Sequence, residues 1–234
     1  MTFTLAAMSS RRERLRASTI EEIRSAALRR IAEHGATALS IRGVARDIGM
    51  SPAGLYRYYD GLDALLTDLI TDAYTDLAVA VEDAVSIDGP ADERFVAGAM
   101  AYRRWALLYP NRFLLIFGTP IPGYVAPEGG PTVAANRRMG EAFFEVAAEG
   151  WRRGEMSAPA LRRDVAPGER ALADEIGQLA PGFPAHLVPT LIGAWAHFHG
   201  LVTLEILNQL HWMYPHPEAF YRGEVERMVA GLTV

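Results

Sequence analysis

Between Ser40 and Val85 the chain is cut into three helical runs, and the middle one is too short to stand alone. Ile41, Val44, Ala45 and Ile48 recur at helical spacing until Gly49. Ser51-Pro52 opens a run of only two turns. Asp60-Gly61 opens a third, in which Leu62, Leu65, Leu66, Leu69, Ala73, Leu77 and Val81 form one stripe. A helix of two turns cannot offset its own nucleation and persists only when packed. Leu55 and Tyr59 supply the packed face, which leaves Ala53, Gly54, Arg57 and Tyr58 pointing outward and Tyr56 on the flank. Small residues followed by Arg and tyrosines suit close approach to base edges, with phosphates held at the far end. Gly49-Met50-Ser51 supplies the tight turn that sets two helices at a steep angle, the second lying in the major groove.

Upstream, Thr19-Ile20-Glu21-Glu22 has the form of a capping box and predicts that the first helix starts there. Ile20, Ile23, Ala27 and Ile31 line one face, and Gly35 ends the helix. Downstream, helical spacing predicts segments over 91–108, 110–117, 132–153, 186–211 and 218–231, with a weaker one within 168–179. The breaks at 118–131, 180–184 and 214–218 are proline-rich, and the first is either a plain connection or the cover of an entrance. Alternating strand-like runs are absent. The expected fold is all-α: an N-terminal three-helix helix-turn-helix domain followed by a helical bundle. The expected divisions are a flexible basic arm over 1–17, the helix-turn-helix domain over 18–66, and the remainder over 67–234.

Charge is distributed unevenly. The first 60 residues carry ten arginines against six acids, whereas the rest carries 13 arginines against 22 acids. A basic front on an acidic body points to a polyanion met by the front only. Every basic Lys/Arg position is arginine, and there are no cysteines, which excludes disulfides and thiolate chemistry. P-loop, G-x-S-x-G and H-E-x-x-H patterns are also missing, so no cofactor or catalytic set is indicated. His197 and His199 stand two apart on a helix and cannot chelate one metal. No apolar run is long enough to cross a bilayer, and nothing at the start resembles an export signal, so the cytoplasm is the expected location.

The stretch Thr37–Leu66, "TALSIRGVARDIGMSPAGLYRYYDGLDALL", resembles the DNA-binding domain of the TetR family of bacterial transcriptional regulators. The likeness is carried by Ser40, Ile41-Arg42, Ala45, Gly49, Ser51-Pro52, Leu55-Tyr56 and Tyr59. It implies a homodimeric regulator, most often a repressor released from a palindromic operator in double-stranded DNA by a small molecule. It places Ser40 and Arg42 on backbone or nearby bases, Ser51, Ala53 and Gly54 over bases, and Tyr56, Arg57 and Tyr58 on phosphates. Two residues depart from the pattern. Gly54 stands where a polar reader is common, and Leu62 stands where the family usually has a phosphate-binding Lys. These departures keep open a helical scaffold that has lost specific DNA binding, and an all-α enzyme is the remote alternative.

The C-terminal segment from Leu187 to Leu210 has Glu205 as its only formal charge and is apolar all round, so it must be covered on every side, by its own domain or by a second subunit. "AWAHFHGLVTLE" and "RRWALLYPNRFLLIFG" resemble one branch of the same family with a Trp and a His-Gly element. The aromatic residues mostly form a core. Trp105, Phe117, Phe143 and His199 are expected to line a pocket for an apolar or aromatic effector.

Overall fold

The computed structural model describes residues 11–156, 187–212 and 216–232, together with the isolated positions 168, 171 and 184. In these residues the helices are α1 (Arg11–His34), α2 (Ile41–Asp47), α3 (Pro52–Leu55), α4 (Leu62–Val85), α5 (Ala91–Leu108), α6 (Pro110–Phe117), α7 (Pro131–Arg152), α8 (Val188–Ile206) and α9 (Pro217–Ala230). A short 3-10 turn, Ala36–Ala38, joins α1 to α2. No strand occurs among the described residues. They divide into two compact units, one of residues up to Ile70 with Asn111–Pro127, the other of Thr71–Pro110 with Glu128 onward.

In the first unit, α1 begins at Arg11, eight residues before the expected start at Thr19. The run Arg11–Arg16 holds only good helix formers and leucine, so nothing stops the helix propagating backward. Thr19 therefore sits inside α1 and donates its hydroxyl to the Leu15 carbonyl at 3.0 Å instead of capping. Residues 11–17, expected in a flexible arm, are helical, and residues 1–10 lie outside the described ones. Gly35 terminates α1 at φ +79°, as expected. Ser40 caps α2 by accepting from the Gly43 amide at 3.2 Å, and Ser51 caps α3 by accepting from Gly54 at 3.1 Å. Pro52 takes the first helical position of α3. Asp60 lies two residues before α4, whose first helical amide, from Leu65, reaches the Gly61 carbonyl. Ile23, Ala27, Val44, Leu55, Leu65, Leu66 and Phe113 form the buried centre of this unit.

The second unit closes around three phenylalanines. Phe95 of α5, Phe143 of α7 and Phe198 of α8 have ring centroids 5.0, 5.4 and 6.4 Å apart, in tilted and edge-on pairs. The α5–α7 crossing is close because Gly150 bears no side chain: a Cβ there would stand 2.4 Å from the Ala91 Cβ. α9 docks on α5 through the buried Tyr221, which donates to the Ala99 carbonyl at 3.0 Å. Arg103 ties α5, α8 and α9 together. Its Nε and Nη2 bind the two Glu205 oxygens at 2.8 and 2.6 Å, and Nη1 reaches Glu218 at 3.4 Å.

α8 stops at Ile206, five residues short of the expected end. Asn208 adopts φ +55°, its amide bonds the Glu205 carbonyl, and the Gln209 amide bonds Leu204. That pattern is a Schellman stop, with Asn accepting the left-handed conformation. Within the chain α8 buries one face, that of its own Val188, Leu191, Ala194, Phe198 and Val202. Ala196, Leu204 and Leu207 are exposed on its other side. The expected weaker helix within 168–179 lies outside the described residues. No helix among the described residues is long and apolar enough to cross a membrane.

Glu205→Ala would strand the Arg103 guanidinium, whose side chain is 7% exposed. A loss of about 3 kcal/mol of unfolding free energy is expected, measured by urea denaturation.

Candidate nucleic-acid interface and apolar cavity

The surface around α3 is built on what lies beneath it. Leu55 is fully buried and Tyr59 nearly so, while Ser51, Pro52, Ala53, Tyr56 and Arg57 are exposed. α3 proper has four residues. Beyond it the turn tightens, with Arg57 and Tyr58 amides reaching the carbonyls three residues back. The expected two-turn helix is thus one α-turn followed by a tighter one.

Tyr59 fixes the exit of this segment. Its hydroxyl donates to Asp68 Oδ2 on α4, and Arg24 of α1 grips the same carboxylate, Nε to Oδ2 at 2.8 Å and Nη2 to Oδ1 at 2.5 Å. Burial raises the Asp68 carboxyl, but Arg24 and Tyr59 outweigh it and hold the group below the ordinary range. Burial, reinforced by Asp68, pushes the Tyr59 phenol well up. Asp68 is therefore an internal ligand, not part of a solvated acidic face.

Of the residues expected at DNA, Ser40, Arg42, Ser51, Ala53, Tyr56 and Arg57 are exposed, whereas Gly54 and Tyr58 are half-buried. Ser40 and Ser51 spend an acceptor lone pair on capping, which leaves their hydroxyl protons to donate. Tyr58 is overlaid by the Arg16 guanidinium, 5.1 Å from its ring centroid. That contact places the basic first turns of α1, with Arg11, Arg12 and Arg14 also exposed, beside the end of the α3 segment. Sequence periodicity could not find it, because it joins residues far apart in the chain. In the same unit, the proline-rich segment after α6 is tied to α4, with Tyr124 Oη 3.0 Å from Thr67 Oγ1.

The second unit holds a cavity of about 320 Å³ between α5, α7 and α8. Phe95, Phe143, Phe144, Trp195, Phe198 and Met139 supply most of its wall, and Asn136, Arg137 and Glu141 the polar part. Of the four expected lining residues only Phe143 contributes. Trp105 is buried elsewhere, its indole donating to Asp76 at 3.2 Å. Phe117 belongs to the first unit and packs on Phe113, ring centroids 5.1 Å apart. His199 stands behind the wall, stacked on Trp195 at 4.9 Å, and its Nδ1 lies 2.7 Å from the Tyr102 hydroxyl. Trp195, on the helix already singled out for its apolarity, is the aromatic that periodicity could have added. Among the described residues no cluster of His, Asp and Glu could hold a metal ion.

Burial lowers His199 below the ordinary imidazole value of 6.5. The folded chain therefore takes up this proton less readily than the unfolded one. Its contribution to stability is complete above about pH 6.5 and declines as pH falls below that value. His199→Gln is expected to flatten the loss of unfolding free energy between pH 7 and pH 5, measured by denaturant titration of both proteins.

Comparison with known proteins bears on both regions. A family model described as bacterial regulatory proteins, tetR family, matches residues 23–69, and one described as the tetracyclin repressor-like C-terminal domain matches residues 95–228. The HTH-type transcriptional regulator Rv1816 of Mycobacterium tuberculosis is 37% identical over 227 residues, spanning 94% of this chain and 93% of that protein. The HTH-type transcriptional regulator Mb1846 of Mycobacterium bovis matches equally. Among solved structures, SCO4313, a provisionally assigned regulatory protein, superposes with a TM-score of 0.75 at 31% identity over 94% of this chain and 100% of its own. PfmR, a TetR family transcriptional regulator from Thermus thermophilus, shares the fold at a TM-score of 0.58 and 19% identity, covering 91% of this chain and 99% of its own.

Proposed function

Since the chain belongs to the TetR family of DNA-binding transcriptional regulators, we propose that it acts as a homodimeric repressor, released from a palindromic operator by an apolar or aromatic small molecule. The observation that carries this reading is the cavity between α5, α7 and α8. Its volume is at the small end of the range for small-molecule sites, and rings and aliphatic groups form most of its wall. The half-covered α8 supports the dimer: the apolar Leu204 on this helix and Leu207 just past its end are exposed.

In the repressing state Arg42, Ser51 and Ala53 face bases, while Tyr56 and Arg57 hold phosphates on either side of the groove. Two such surfaces must meet consecutive major grooves, ~34–36 Å apart. A ligand that binds better to a dimer with a different separation shifts the population away from the DNA-bound state by its differential affinity alone.

Selection from a random DNA library tests the reading. An enriched palindrome with half-sites one helical turn apart, bound by a dimer in sedimentation, is expected; a selected site without two-fold symmetry contradicts it.

Two variants separate its parts. Leu62→Lys restores the phosphate contact that this chain lacks, so the slope of log affinity against log salt should steepen by about 0.9 for each protomer on the operator. Gly140 lines the cavity with no atom within 4 Å of where a Cβ would stand. Gly140→Leu is expected to fill that space, leaving operator affinity unchanged while abolishing release by any compound that dissociates the parent protein in a mobility-shift titration.

A further inference from the structure

We propose that Met50, in the turn between α2 and α3, is a base-reading residue of this regulator and takes the place of a side chain at position 54. The proposal rests on the DNA-binding function and adds a specificity determinant to it. The Met50 side chain lies against α3 at Gly54. A Cβ built on Gly54 would stand 2.9 Å from Met50 Cγ and 3.4 Å from its sulfur, and 3.2 Å from Ser51 Oγ. The first distance is closer than real Cβ atoms approach, so Met50 and a side chain at 54 cannot both occupy that surface as it stands.

Backbone geometry gives no competing reason for glycine here. Position 54 lies inside α3, away from the left-handed glycines of the chain. Gly inside a helix costs about 0.5–1 kcal/mol relative to Ala. The thioether resting on it is the compensating feature. Met50 is half-buried, and its neighbours Ser51 and Ala53 are exposed on the side assigned to DNA.

The chemistry that results is apolar. Thioether and methyl groups offer no directional hydrogen bond to a base edge but make good contact with the C5-methyl group of thymine. The inference is that each half-site holds a thymine whose methyl meets Met50, at a position where relatives with a polar residue at 54 would read by hydrogen bond. An unbranched, flexible side chain also tolerates small shifts of α3 on the duplex better than a short polar one.

The experiment compares base preferences selected from a random library by the wild-type protein, Met50→Ala, and Met50→Ala/Gly54→Thr. The wild type is expected to show a thymine preference of about five- to tenfold at one position per half-site. Met50→Ala should lose that preference while keeping the others, and the double variant should acquire a different base there. A merely structural Met50 would weaken binding at all positions alike, and an unchanged base profile for Met50→Ala overturns the proposal. Should Met50→Ala fail to fold, base substitution in the DNA bound by the wild type decides. Replacing the selected thymine with uracil removes only its methyl group, so undiminished affinity overturns the proposal and a matching five- to tenfold loss supports it. If the wild type enriches no sequence at all, the specific DNA-binding reading itself falls, and this proposal with it.

Discussion

The DNA-facing unit depends on one carboxylate. Asp68 on α4 receives the Arg24 fork from α1 and the Tyr59 hydroxyl from the end of the α3 segment, so three pieces of chain converge on two oxygens. α3 has too few residues to hold itself together. Its orientation comes from Leu55 buried beneath it and from Tyr59 clasped at its exit. The planar guanidinium matters, because its fork binds both carboxylate oxygens at once, while Oδ2 uses a second lone pair to accept from the phenol. The exposed side chains of α3 then inherit a direction that they do not set themselves.

The second unit solves a different problem. Phe95, Phe143 and Phe198 meet as a cluster without filling the space between α5, α7 and α8, and glycine at 140 leaves one side of it unlined by a side chain. Away from the cavity the helices are tied together by the buried Arg103, shared between Glu205 and Glu218, and by the buried Tyr221, which anchors α9 to α5. Since neither Arg103 nor Tyr221 lines the cavity, its contents can change without disturbing these ties.

Apolar spacing and turn residues alone place α5 and α6 to the residue, locate α2, α4 and α7 within a residue or so, and fix the start of α3 but not its length, because these boundaries are set by Gly, Pro or Ser acting locally. Errors arise where the deciding event is not local. Thr19 offers a capping signal, but the arginine-rich stretch before it continues as helix and absorbs it. α8 is stopped by Asn208, two residues past its last helical one, whose left-handed conformation periodicity does not reveal. The exposure of Ala53, Tyr56 and Arg57, which are proposed to meet DNA, is readable since it follows from Leu55 and Tyr59 being buried. The cavity is not: Trp105, Phe117, Phe143 and His199 are indistinguishable as aromatic groups in the sequence, and only the packing of three helices decides that Phe143 faces the hollow while Trp105 turns to Asp76. Asp68 looks like one of several surface acids on α4 until its partners from 44 residues upstream and nine residues upstream are seen.

The make-up of the cavity wall carries a consequence for what the molecule can tell apart. A hollow bounded chiefly by phenyl, indole and aliphatic carbon sorts its guests by volume and outline, since swapping one methylene changes binding by only about 1–3 kcal/mol. On the proposed reading, such a receptor would answer to a chemical neighbourhood of similarly sized compounds, not to a single metabolite. Breadth of response would then follow from that construction, and any narrowing would come from the few polar groups, Asn136, Arg137 and Glu141, that border the cavity.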